Sequence, residues 1–145
     1  MHSQHEHILV CVTGQRNCER LIRQSAQLVR TLSLEKKCEI SVIHVTGGSN
    51  RFMGNEDEGA ALEYLFQISK AYGASMTVKR NEDPVGTIAS FADFHRVTRI
   101  VLGISLTATA YDFTSELKKR MPGTCFHVIP YDVGGRESEN GQSNE

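Results

Sequence analysis

The sequence predicts an α/β fold, a doubly wound parallel sheet of five strands with helices on both faces. Three observations predict it. Short apolar runs alternate with amphipathic stretches from residue 7 to residue 130. The runs are almost continuously apolar, as strands buried on both faces of a parallel sheet require. Each pair of runs is separated by a stretch with helical spacing, and right-handed crossovers then place the helices on both sides of the sheet.

The first strand is expected at His7–Thr13 (HILVCVT), a β-branched apolar run. Thr13-Gly14-Gln15-Arg16-Asn17 forms the turn after it, with Asn17 as the expected N-cap. Over 18–34, Cys18, Leu21, Ile22, Leu28, Val29 and Leu32 share one helical face, and Arg16, Arg20, Arg23 and Arg30 form a stripe on another. Cys38–Thr46 reads as the second strand, and the polar stretch 47–59 as the longest connection. Helix follows over 60–72, with Gly73 as its C-terminal stop.

Ser75–Arg80 is expected as the third strand. Asp83 then caps a helix that begins at Pro84 and runs to about Arg96, since proline suits a first helical turn. Thr98–Gly103 is the fourth strand, 106–111 a loop, 112–120 a short helix, and Cys125–Pro130 the fifth strand. The domain is expected to span 7–130. Residues 1–6 form a flexible leader, and the polar, Gly/Ser/Asn/Glu-rich residues 131–145 a disordered acidic tail.

Charge and composition bound the function. The 145 residues carry 16 Lys+Arg against 17 Asp+Glu, a net charge of −1, without the basic excess of a nucleic-acid binder. The tail holds four of the acids and one base, so the body is slightly basic. No apolar run approaches the ~20 residues of a membrane span, and MHSQHEH lacks the features of an export signal. Four irregularly spaced Cys fit reduced thiols and a cytoplasmic location. Cys11, Cys38 and Cys125 are expected as buried core thiols.

In sheets of this kind ligands bind beyond the carboxyl ends of the strands, where strand order reverses. For an order 3-2-1-4-5 that point lies between the first and fourth strands. There Thr13, Gly14, Gln15 and Arg16 face Gly103, Ser105, Thr107 and Thr109. Gly14 permits close backbone approach, a helix N-terminus offers N–H groups, and Arg16 offers charge for a phosphate.

The stretches Ile8-Leu9-Val10-Cys11-Val12, Cys18-Glu19-Arg20-Leu21-Ile22-Arg23, Asp83-Pro84-Val85-Gly86, Val101-Leu102-Gly103 and Phe126-His127-Val128-Ile129-Pro130, in this order and spacing, resemble the universal stress protein family. More narrowly, they resemble the stress-protein-like sensor segment of osmosensitive potassium-channel histidine kinases. The resemblance implies the order 3-2-1-4-5 in an adenine-nucleotide alpha-hydrolase-like three-layer sandwich. It also implies homodimers paired through the last strand and a regulatory role in stress or osmotic physiology. It carries over to Thr13 or Gly14 in the first loop, to Val45 near a base, and to Gly103. ATP-binding members have an Asp after the first strand and a Gly-x-x-Gly pattern after the fourth. Here Thr13-Gly14 and Gly103…Leu106 stand in those places. ATP, AMP and cyclic di-AMP all remain open as ligands.

No catalytic set is expected. A phosphatase of the low-molecular-weight type needs Arg six residues after its Cys; that position is Asn17 from Cys11 and Gln24 from Cys18. His2, His5 and His7 make a loose N-terminal cluster, but no Cys-x-x-Cys or His-Glu-x-x-His exists, so no metal site is expected. His44 and His127 are expected as structural histidines. The reading is therefore a non-catalytic regulatory module that binds a nucleotide-like ligand. Its alternatives are a protein–protein interaction module acting through the arginine stripe and, third, a phosphatase-type enzyme.

Overall fold

The computed structural model describes residues 5–33, 37–47, 56–103 and 108–130. Strands β1 (His5–Cys11), β2 (Lys37–Thr46), β3 (Ser75–Arg80), β4 (Arg99–Gly103) and β5 (Cys125–Ile129) alternate with helices α1 (Glu19–Leu32), α2 (Glu56–Ala71), α3 (Pro84–Phe94) and α4 (Ala108–Arg120). The sheet is wholly parallel with the order β3-β2-β1-β4-β5. The strand order reverses beside β1, as expected.

Side-chain alternation along the strands divides the core into two layers. Ile8, Val10, Val42 and Val101 pack toward α1 and α2, against Leu21, Ile22 and Leu65. Leu9, Ile43, Ile100 and Leu102 pack on the opposite face, against Ile88 and Ala92 of α3, Leu117 of α4 and Met121 just after it. Ile8, Leu9, Val10, Val42, Ile22 and Leu65 are fully enclosed. The central strands therefore read as continuous apolar runs because each face has its own helical cover.

Several boundaries differ from the sequence expectation, each for a local reason. His5 and Glu6, assigned to the leader, are the first residues of β1, paired with Lys37 and Cys38. Glu6 is buried there, with Thr98 Oγ1 donating to its carboxylate at 2.5 Å and Arg99 Nε at 3.1 Å. Asn17 does not cap α1: residues Arg16–Cys18 form a 3₁₀ turn, and the cap position falls to Cys18, which makes no side-chain cap. α2 begins at Glu56 and α4 at Ala108, both about a turn earlier than hydrophobic spacing alone suggests.

Two end signals hold as read. Gly73 follows α2 with φ +74°, a left-handed conformation that glycine adopts without a Cβ penalty. Asp83 caps α3, its carboxylate accepting from Gly86 N–H at 3.0 Å, with Pro84 in the first turn.

His7 fastens three segments. Its Nδ1–H donates to the His95 carbonyl at 2.9 Å, and its Nε2 meets the Ser41 hydroxyl at 2.8 Å. His7 is thus a satisfied structural residue, and the described residues contain no group of three or more His, Cys, Asp or Glu that could hold a metal. Cys125 corrects the expectation of a core thiol. It is the first residue of β5, at the edge of the sheet, and it is exposed. Cys11 and Cys38, also expected as core thiols, are half-buried, and the thiol that is buried is that of Cys18. Burial around Cys11 nonetheless pushes its thiol up to about 12.

Candidate functional site

The carboxyl ends of β1 and β4 meet where the sequence places a crevice. Val12 N–H donates to the Ile43 carbonyl at 3.0 Å, which ties the end of β1 to β2. The loop then turns back on itself. Thr13 N–H donates to Cys18 Sγ at 3.3 Å, and Cys18 N–H donates to the Gln15 carbonyl at 3.0 Å. Gln15 is extended and exposed.

Opposite, Gly103 ends β4 on the face that α1 covers. A Cβ placed on Gly103 would lie 3.6 Å from Arg20 Nη2 and 3.6 Å from Leu21. The arginine that faces this part of the crevice is therefore Arg20. Arg16 leans away, its guanidinium 5.0 Å over the Tyr64 ring. The expected stripe is thus divided among different tasks. Arg16 stacks on α2, Arg20 turns toward β4, and Arg23 pairs with Glu19 one turn before it.

Glu19 is the junction between α1 and α2. It accepts the Tyr64 hydroxyl at 2.5 Å and also accepts from Arg23. These two interactions, the Tyr64 hydrogen bond foremost, hold its carboxyl below the usual range despite partial burial.

Two further residues enter the site without having been singled out for it. Glu58, in the first turn of α2, lays its side chain on Gly14. A Cβ at Gly14 would stand 2.7 Å from Glu58 Cγ and 2.8 Å from Oε2, so a larger residue there would push the carboxylate aside. His44, near the end of β2, holds the same carboxylate through Nε2 at 3.3 Å, and its Nδ1 donates to the Val12 carbonyl at 3.1 Å.

The structure thus gathers Gly14, Arg20, His44, Glu58 and Gly103 on the α1/α2 side of the sheet. Val45 packs into the opposite layer with Ile43 and Leu9. Ser105 and Thr107 lie outside the described residues, as does the side chain of Thr109. The nearest sequence signal for Arg20 was its place in the stripe. Glu58 carried none, because its contact with Gly14 spans 44 positions of the chain.

A separate shallow groove of about 900 Å³ runs along α3, lined by Lys79, Asp83, Phe91, Phe94 and Arg120 among others. It includes none of the crevice residues.

Against known proteins, no family model matches the chain and no curated protein matches it. Solved structures do match. A universal stress protein family protein from Arabidopsis thaliana with AMP bound superposes with a TM-score of 0.59 at 17% identity, covering 92% of this chain and 97% of that one. The universal stress protein from Archaeoglobus fulgidus in complex with dAMP gives 0.57 at 20% identity, over 89% and 99%. A universal stress protein in complex with cAMP gives 0.57 at 16% identity, over 90% and 99%.

The fold is that of the universal stress proteins. Coverage is nearly complete in both directions, so the universal-stress fold accounts for the whole described sheet and its four helices. At these identities the likeness speaks for the fold, and the side chains in the crevice are this chain's own. No described helix is long and apolar enough to cross a membrane.

Proposed function

We propose that the protein is a non-catalytic regulatory module of universal-stress type that binds an adenine-nucleotide-like ligand between the β1 loop and the end of β4. The observation that carries this reading is Arg20, whose guanidinium faces Gly103 at the point of strand-order reversal. A guanidinium there suits a phosphate, and a glycine at the strand end leaves room for one to approach. The AMP, dAMP and cAMP complexes of universal stress proteins of the same fold support an adenylate as ligand. Cyclic di-AMP belongs to the same chemical class, and ATP would need the crevice to accept a longer phosphate chain.

The narrower kinship with the sensor segment of osmosensitive histidine kinases rests on the sequence stretches around Val10, Arg20 and Val128 and is part of this proposal. So are a cytoplasmic location and pairing of two copies through β5, an edge strand of the sheet.

Calorimetry and thermal-shift measurements with AMP, ATP, cAMP and cyclic di-AMP test the reading. At least one should bind and raise the melting temperature, and Arg20→Ala should weaken it by about tenfold or more, the usual worth of a charge-assisted contact. Absence of binding by all four would refute it.

A further inference from the structure

We infer that Glu58 is a built-in occupant of the crevice, a carboxylate that an anionic ligand must displace to reach the loop after β1. The inference rests on the nucleotide-binding reading above and adds to it what sets the ligand's affinity and charge preference.

The geometry is specific. Glu58 Cγ and Oε2 lie 2.7 and 2.8 Å from the point where a Cβ on Gly14 would stand, so the space that glycine opens beside the loop is filled by this side chain. The carboxylate is held from the other direction by His44 Nε2 at 3.3 Å. His44 is itself fixed by Nδ1 to the Val12 carbonyl at 3.1 Å, two residues before Gly14 in the same loop. A residue from β2, one from α2 and the β1 loop thus close one latch.

The two partners differ in freedom. The His44 side chain is 8% exposed and the Glu58 side chain 21%. Glu58 stands in the first turn of α2, with its carboxylate at the end of a flexible stem, so it can rotate toward water while the imidazole stays in place.

Like charges repel strongly in a crevice that excludes part of the solvent, so a phosphate approaching Gly14 meets opposition that a neutral group does not. Displacing Glu58 also gives up its contact with His44. A ligand with several negative charges is therefore handicapped more than one with few. Removing the carboxylate relieves both effects, whereas an amide of the same size relieves the charge and keeps the obstruction.

Isothermal calorimetry on the full chain tests this with AMP, ATP and adenosine against the parent, Glu58→Ala and Glu58→Gln. Glu58→Ala should bind AMP about tenfold tighter than the parent, gain more for ATP, and gain least for adenosine. Glu58→Gln should show a smaller gain in the same order, and being isosteric it carries the test should Glu58→Ala fold poorly. Equal or weaker AMP binding by both variants would overturn the inference and leave the nucleotide reading intact. Absence of binding by parent and variants alike to all three ligands would overturn both.

Discussion

Arg99 and Glu6 couple the start of β1 to β4, and replacing Arg99 by leucine offers a sharp test of how that edge is held. The Glu6 side chain is 8% exposed and that of Arg99 21%, with Nε to Oε1 at 3.1 Å. Breaking a buried ion pair by removing one partner costs about 3–5 kcal/mol, chiefly because the remaining charge stays desolvated. Arg99 retains some contact with water, which sets the expectation at the lower end, about 3 kcal/mol. With a urea slope of about 2 kcal/mol/M for a domain of this size, the midpoint of Arg99→Leu should fall by about 1.5 M. The double variant Glu6→Leu, Arg99→Leu should recover much of the loss, since it removes the stranded carboxylate too. Arg99 Nη1 also donates to His127 Nε2 at 3.2 Å. Burial and, second, the Arg99 charge hold the His127 imidazole below its ordinary value, so its NMR titration should move up in Arg99→Leu. A loss under about 1 kcal/mol, or a double variant no more stable than the single one, would refute the reasoning.

Three other outcomes follow from the structure. Glu19 has its carboxyl lowered by Tyr64 and Arg23, so its contribution is present above its ordinary value of 4.5 and lost as pH falls through the lowered one. The melting-temperature gap between parent and Tyr64→Phe should therefore shrink from about pH 6 to about pH 3, and a constant gap would count against the junction. Arg96 sits at φ 56° after α3, a left-handed position that costs an L side chain about 1 kcal/mol. Arg96→Gly should raise the melting temperature by roughly 2–3 °C, measured by calorimetry. Under native conditions iodoacetamide should label exposed Cys125 well ahead of half-buried Cys11, whose thiol is held up to about 12, and equal rates by mass spectrometry would contradict their placements.

The strands were legible because burial on both faces writes itself as continuous apolar runs such as Ile8–Val12 and Ile100–Leu102. Asp83-Pro84 and Gly73 were legible because capping and left-handed turns depend on the residue itself. The start of α2 was not, since Glu56 and Asp57 add nothing to an apolar stripe. Cys125 was misplaced because an apolar run does not reveal which strand ends up at the edge of the sheet. The crevice loops could be located from topology, but Arg20 was distinguishable from Arg16 only once α1 was docked on β4. Glu58 required α2 to be docked on the β1 loop. Long-range side-chain meetings of this kind have no local periodicity to announce them.

The strand order also bears on synthesis. β1 leads the chain yet lies at the centre of the sheet, and Glu6 and His7 find Thr98, Arg99 and His95 between 88 and 93 positions later. A nascent chain can assemble β1, α1, β2, α2 and β3 as a half-sheet while β4 is still being made. Throughout that interval the β4-facing edge of β1 lacks its neighbour, and Glu6 has yet to meet Thr98 and Arg99. Contacts of such separation form late and slowly, and exposed strand edges are where premature association begins. Of the five strands the most central is thus made first, and the sheet closes only when β4 slots in beside it.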